Sequence, residues 1–172
     1  MKNLEPQAIE QLLTIIPDHP ANSIMLFSDG GETLPTAMKA LCKEKEYFLQ
    51  FNILDPNFYE KVVEKYNEED LCVTKLVKWE QRRYASVARL YYTIFVSATV
   101  PEEKEQQFVD NVIHHIKTAG HIVFLLPKGD KNAIDRWWQI LESKSFVSIS
   151  TIDVSQEYEI LAARKMHGWD SY

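Results

Sequence analysis

Cysteine is nearly absent from this chain. Cys42 and Cys72 are the only two among 172 residues, and they lack CxxC spacing. That excludes a disulfide framework and a cysteine-based metal site, and both thiols fall inside apolar segments as small core residues. No apolar run approaches the ~20 residues that span a bilayer, and the start MKNLEPQAIE has neither the basic nor the apolar region of a signal peptide. No membrane association is expected, and the cytoplasm is the expected compartment. Basic residues are in deficit, 19 against 25 acidic for a formal charge of -6. This opposes a footprint for bulk nucleic acid or anionic membrane and leaves room only for a local basic patch. The patterns GxxxxGK(S/T), GxSxG and HExxH are all missing, so nucleotide hydrolysis, serine hydrolase and zincin chemistry have no support. Repeats, low-complexity tracts and linkers are missing too, and residues 1–172 read as a single domain.

What is present is an ordinary globular composition, 45% hydrophobic and 26% charged. Its plainest pattern runs from Leu90 to Pro127. LYYTIFV (Leu90 to Val96) and HIVFLLP (His121 to Pro127) are nearly unbroken apolar runs, as in parallel strands covered on both faces. Between them Val109, Val112, Ile113 and Ile116 follow the i, i+3, i+4, i+7 rule of an amphipathic helix. Pro101 suits its first position, Glu102 and Glu103 suit the positive end of its dipole, and Gly120 suits its stop. The unit reads as βαβ.

The rest of the chain repeats that rhythm. Residues 1–17 hold an N-terminal packing helix from Glu5 to Ile16, with Ile9, Leu12, Leu13 and Ile16 on one stripe and Pro17 at its end. Ser23 to Phe27 is a short strand, followed by the turn-forming Ser28-Asp29-Gly30-Gly31-Glu32 and a helix opened by Pro35 that carries Met38, Leu41 and Cys42. Tyr47 to Ile53 is the second strand, Asp55-Pro56 a helix cap, and Tyr59, Val62, Val63 and Tyr66 that helix's apolar stripe. Leu71 to Val77 is a third, shorter strand, and Lys78 to Ala88 reads as a short polar helix or a loop. Asp130 caps a helix with Ile134, Trp137, Trp138 and Leu141 inward; of the adjacent tryptophans one belongs in the core and the other covers it in part. Phe146 to Val154 and Tyr158 to Lys165, separated by three residues, form an antiparallel hairpin. These elements define an α/β three-layer sandwich, a seven-stranded, mostly parallel sheet with a C-terminal antiparallel hairpin.

Strands and helices in this order, with a helix before the first strand, resemble the class I S-adenosylmethionine-dependent methyltransferase fold over essentially the whole chain. The more specific part is the second half: YYTIFVSATVP, the helix ending IKTAG, HIVFLLP, RWWQILESKSF and SISTIDVSQEYEILAARK. Ser145 stands where that family has a glycine before Phe146. The resemblance implies a nucleoside-type cofactor, S-adenosylmethionine, at the turn after the first strand. Its binding residues would be Ser28, Asp29, Gly30, Gly31 and Glu32, with Asn52 on the ribose and Ser97 and Thr99 bordering the methyl acceptor. The motif is degenerate. Leu26 occupies the family's acidic position, Ser28 and Glu32 replace the first and third glycines of GxGxG, Asn52 replaces the ribose-binding acid, and Tyr91-Tyr92 stand where many members have aspartate.

Two functional readings follow from these residues. One is a methyltransferase that works by positioning donor and acceptor; no residue presents itself as a general base, and the acceptor is unnamed. The other is a non-catalytic descendant that has lost the cofactor and serves as a binding or scaffold module. Outside this region, His114 and His115 are adjacent on a helix without HxxxH spacing or a nearby cysteine, which favours a solvated face over a metal site. Arg82, Arg83 and Arg89 with Trp79 and Tyr84 form a basic-aromatic group that could meet an anion or RNA, although the chain's overall acidity favours a solvated face. Partner and oligomeric state are not specified by the sequence.

Overall fold

The computed structural model describes residues 3–166. In chain order it contains α1 (Pro6–Leu13), β1 (Ser23–Ser28), α2 (Thr33–Lys45), β2 (Phe48–Ile53), α3 (Pro56–Tyr66), β3 (Cys72–Leu76), β4 (Tyr91–Val96), α4 (Glu105–Val112), β5 (Ile116–Pro127), α5 (Lys131–Ser143), β6 (Phe146–Ile152) and β7 (Tyr158–Lys165). The seven strands form one sheet in the order β3-β2-β1-β4-β5-β7-β6. The first five are mutually parallel, and β7 runs antiparallel to both β5 and β6. Local chemistry sets several boundaries. Asp55 accepts hydrogen bonds from the Asn57 and Phe58 amides at 2.8 and 3.1 Å, and Asp130 accepts from the Ala133 amide at 3.1 Å, so each carboxylate satisfies amides that a helix start leaves free.

Every residue of β1 is buried, and its side chains alternate between two cores. Ile24 and Leu26 join Leu12, Met38, Cys42, Val62 and Tyr66 of α1, α2 and α3 on one face. Met25 and Phe27 join Phe108, Val109, Trp137 and Leu141 of α4 and α5 on the other. Both thiols are buried, and burial pushes Cys42 up to about 12 and Cys72 to about 11, so neither is a nucleophile at neutral pH. Trp137 is core, while Trp138 lies at the edge and donates its indole N–H to Glu142 at 3.0 Å. No helix among the described residues is long and apolar enough to cross a membrane.

The βαβ unit departs from expectation in the middle. A 3-10 turn covers Glu102–Lys104 with Pro101 at its cap, α4 follows, a second 3-10 turn covers Ile113–His115, and β5 begins at Ile116. Pro101 is therefore not a first helical residue, and Gly120 does not stop a helix. Ile116 is buried, but as a strand residue; a spacing of three residues satisfies a helical stripe and gives no sign of where the helix ends. A register shift opposite Tyr91/Thr93, with Ala119 at φ 66°, marks a bulge. Gly120 sits in that bulge against backbone: a Cβ there would lie 2.7 Å from the Lys117 carbonyl oxygen and 2.9 Å from that of Tyr92.

The polar run from Lys78 to Ala88 contains no helix. Between β3 and β4 an irregular segment, residues 77–90, packs Val77 and Tyr84 against the core of α4 and α5. Ser145, in the glycine position before β6, adopts φ 65°.

Two substitutions test these assignments. Gly120→Ala forces a methyl onto two carbonyls and should cost about 2 kcal/mol or more in urea unfolding. Ser145→Gly removes a left-handed conformation at a non-glycine residue and should stabilise by about 0.5–1 kcal/mol after the unfolded-state entropy of glycine is counted, a rise of about 2 °C in Tm.

Candidate functional site

In an open α/β sheet, ligands bind beyond the carboxyl ends of the strands. Here those ends are tied to one another. The Leu54 amide donates to the Ser28 carbonyl at 2.9 Å, and the Ser97 amide and hydroxyl both donate to the Phe27 carbonyl, at 2.8 and 3.0 Å. Ser97 is buried and its hydroxyl is spent on this tie. Ser28 is buried too: its Oγ donates to the Gly30 carbonyl at 2.8 Å and faces the Gly30 amide at 3.2 Å, closing the turn on itself. Gly31 has φ 82°, the left-handed region that favours glycine, and turns the chain into α2. Asp29 Oδ2 accepts from the Thr99 amide at 3.0 Å and so clips the loop after β1 to the loop after β4.

Glu32 occupies the cap position of α2, but its side chain does not cap the helix. The carboxylate meets Lys65 Nζ at 2.7 Å and Lys61 Nζ at 3.9 Å, and the hydrogen bond from Lys65 holds it below the usual carboxyl range. The free amides at the start of α2 are served instead by Asn3, whose Oδ1 accepts from the Glu32 and Thr33 amides at 3.0 and 3.4 Å. The Leu4 amide donates to Thr33 Oγ1 at 3.2 Å. A helix start of this kind is a natural anion or ligand contact, and the N-terminal segment takes it.

Asn52 is 0% exposed. Its Oδ1 accepts from Gln50 Nε2 at 3.0 Å, and the same Gln50 nitrogen donates to the Ala85 carbonyl at 2.7 Å. Gln50 Oε1 accepts from the Val87 amide at 3.2 Å and from the Tyr91 hydroxyl, which in turn accepts from the Ala88 amide at 3.2 Å. Segment 77–90 is thereby fastened over the end of β2. Asn52 Nδ2 finds no partner among the described residues, a cost of about 1–3 kcal/mol for a buried donor. Burial also pushes the Tyr91 hydroxyl up.

A second space lies at the carboxyl ends of β4 and β5. Thr99, Glu105, Phe124, Asp130, Arg136 and Trp137 border a cavity of about 100 Å³, well short of the ~300 Å³ at which drug-sized sites begin. Glu105 is 3% exposed and meets Arg136 in a fork, Oε1 to Nη2 at 3.2 Å and Oε2 to Nε at 3.3 Å. Burial pushes its carboxyl above the usual range, and Arg136 opposes that shift. Glu105 was not singled out from the sequence, yet Glu105, Phe108, Val109 and Val112 stand at i, i+3, i+4, i+7, an acid on the buried stripe. Gln50 had a comparable signal, because Gln50 and Asn52 alternate on one face of an otherwise apolar strand.

Of the residues the sequence pointed to, Asp29 and Thr99 are in contact, Ser28, Gly30, Gly31 and Glu32 form the adjoining turn, and Ser97 braces β1 from below. Asn52 is set apart beneath segment 77–90. A sulfonium nucleoside fits this arrangement poorly. The ribose position is a fully buried amide whose neighbour Gln50 is bonded to Ala85 and Val87 of segment 77–90, the turn's hydroxyl is internally satisfied, and Asn3 holds the start of α2. Among the described residues no three His, Cys, Asp or Glu side chains gather as a metal site.

No protein-family model and no curated protein matches the chain. Solved structures do. An S-adenosylmethionine-dependent O-methyltransferase from Thermotoga maritima superimposes with a TM-score of 0.75 at 12% identity, over 98% of this chain and 68% of that one. Fibrillarin from Aeropyrum pernix, with natively bound S-adenosyl-L-methionine, gives 0.69 at 10% identity over 91% and 76%. A TehB-like S-adenosylmethionine-dependent methyltransferase from Corynebacterium glutamicum gives 0.64 at 9% over 95% and 89%. The chain has the class I methyltransferase fold; at these identities the likeness is one of fold.

Glu105 supplies a pH test. A carboxyl whose folded pKa lies above its unfolded value stabilises the fold at low pH, and that contribution is lost as pH rises through the folded pKa. The stability of the wild type relative to Glu105→Gln, read from urea unfolding, should therefore fall as pH rises from about 4 to about 7. A difference that grows over this range would show that the Arg136 pairing outweighs desolvation.

Proposed function

We propose that this chain is a non-catalytic methyltransferase-fold protein, a binding module whose cofactor cleft is filled by its own side chains. The observation that carries the reading is Asn52, 0% exposed beneath a segment that Gln50 binds through Ala85 and Val87. A group that holds ribose hydroxyls must face the cleft, and a neutral amide is in any case a weaker partner for them than a carboxylate. The Asn3 contacts to α2 and the Lys65 pairing of Glu32 support the same reading from the opposite side of the turn. Ser28, Asp29, Gly30, Gly31 and Glu32 then serve as the junction that carries β1 into α2, and Ser97 and Thr99 as its ties to β4.

The competing reading is methyl transfer from S-adenosylmethionine bound at that turn. Its specific support is the unpartnered Asn52 amide, a donor that an acceptor hydroxyl would satisfy if residues 77–90 lifted.

Thermal unfolding with and without millimolar S-adenosylmethionine or S-adenosylhomocysteine separates the two. A ligand at 100 times its Kd stabilises by about 2.7 kcal/mol, a Tm shift of about 5–10 °C for a domain of this size. The expected result is no shift with either compound. A shift that is lost in Gly30→Arg would overturn the proposal and restore the enzyme.

A further inference from the structure

A separate cavity lies where segment 77–90 meets the end of α4. It measures about 590 Å³, and Arg82, Arg83, Tyr84, Asp110, Asn111, His114 and His115 line it. The chain is acidic as a whole, yet this wall gathers two permanent cations and two imidazoles. Neither guanidinium has an ion-pair or hydrogen-bond partner among the described residues. The one carboxylate in the lining, Asp110, is occupied by Lys144 Nζ at 2.7 Å. Of the basic group marked in the sequence, Arg89 does not take part.

The wall is built rather than accidental. Asn111 Nδ2 donates to the Gln81 carbonyl at 3.0 Å and fixes the arginine-bearing segment to α4. Tyr84 is 3% exposed, with its ring edge-on to Phe27 at 5.1 Å and to Phe108 at 6.2 Å. Its hydroxyl lies near Asn111 but makes no hydrogen bond of normal geometry, which leaves a buried donor unused. The half-buried His115 ring meets the Tyr84 backbone carbonyl, and burial followed by the neighbouring His114 lowers its pKa. Among surrounding charges, Glu80 acts on Tyr84 from the segment, and Lys165 of β7 is turned to the Ile113 and Ile116 carbonyls at 2.8 and 3.0 Å.

We propose that this cavity binds a small phosphorylated molecule, its phosphomonoester dianion held by Arg82 and Arg83 and by the imidazoles of His114 and His115. Guanidinium forks match phosphate oxygens in pairs, and charge-assisted bonds of this kind are about twice as strong as neutral ones. A dianion beside the half-buried His115 also favours the protonated ring that burial disfavours. The volume lies within the ~300–1,000 Å³ of small-ligand sites, while the formal charge of -6 and the nearby Glu80 and Asp110 oppose a long polyanion tracking across the surface. The site shares no side chain with the filled cleft, so its phosphate readout is distinguishable from the cofactor test.

The test follows the imidazole proton resonances of the whole chain by NMR during titration with inorganic phosphate and with phenyl phosphate, using sodium chloride at matched ionic strength as the control. The His114 and His115 resonances should shift saturably, with those of His19 and His121 unmoved. The Arg82→Gln/Arg83→Gln double variant should retain its Tm and lose about tenfold or more in affinity. Absence of a saturable shift, or undiminished affinity in the double variant, overturns the proposal. So does a single-stranded RNA oligomer that displaces phosphate and binds more tightly than either probe, which would make the cavity part of a polyanion surface.

Discussion

A carboxamide buried inside a β-sheet face has to find partners for two donors and an acceptor oxygen, because the interior offers no water to replace them. Gln50 finds them in the Asn52 side chain, the Ala85 carbonyl, the Val87 amide and the Tyr91 hydroxyl. Those bonds hold a segment with no secondary structure of its own against β2 and β4. Once it is held there, Tyr84 fills the space beside Phe27 and Phe108, and Asn52 is sealed from solvent. Arg82 and Arg83 are brought beside the end of α4 by the same placement. Filled cleft and basic cavity both depend on one docked segment.

The edge of the sheet where such folds meet their ligands is, in this chain, knitted into the interior. Ser28 and Ser97 use their hydroxyls on the backbone of β1 and the turn, Asp29 reaches across to Thr99, and Glu32 is engaged by lysines of α3. From the other side, Asn3 bonds the start of α2, and Glu5 bonds Ser155 Oγ at 3.1 Å and the Gln156 amide at 2.8 Å. The N-terminal segment thus joins the start of α2 to the turn between β6 and β7. Polar residue types that would suit a nucleoside are present, but nearly all of their hydrogen-bonding capacity is used within the chain.

Much of this architecture was legible in advance. The βα rhythm, the caps at Asp55 and Asp130, the terminal hairpin and the core placement of Cys42, Cys72 and one of the two adjacent tryptophans follow from periodicities of two and 3.6 and from local hydrogen bonding; that the core one is Trp137 is decided by the packing. The end of α4 is hidden in the sequence because Ile113 and Ile116 satisfy the helical stripe and Gly120 resembles a helix stop, whereas the real constraint on Gly120 is the Tyr92 carbonyl on a neighbouring strand. Among the site residues, the cluster at the turn was legible as a cluster. That Asn52 would be covered was not, because its cover comes from more than thirty residues away in sequence.

The sequence by itself determined the elements, their order and which face of each is apolar, since those depend on side chains a few positions apart and on backbone rules common to all chains. Tertiary structure alone decided which polar groups remain available. Gln50 meets Ala85, Asn3 meets Glu32, and Arg82 and Arg83 share a cavity with His114 and His115 only because distant segments pack together. Whether a hydroxyl, amide or guanidinium is spent or free is a property of that packing, because burial obliges each polar group to bond to whatever the fold has placed beside it.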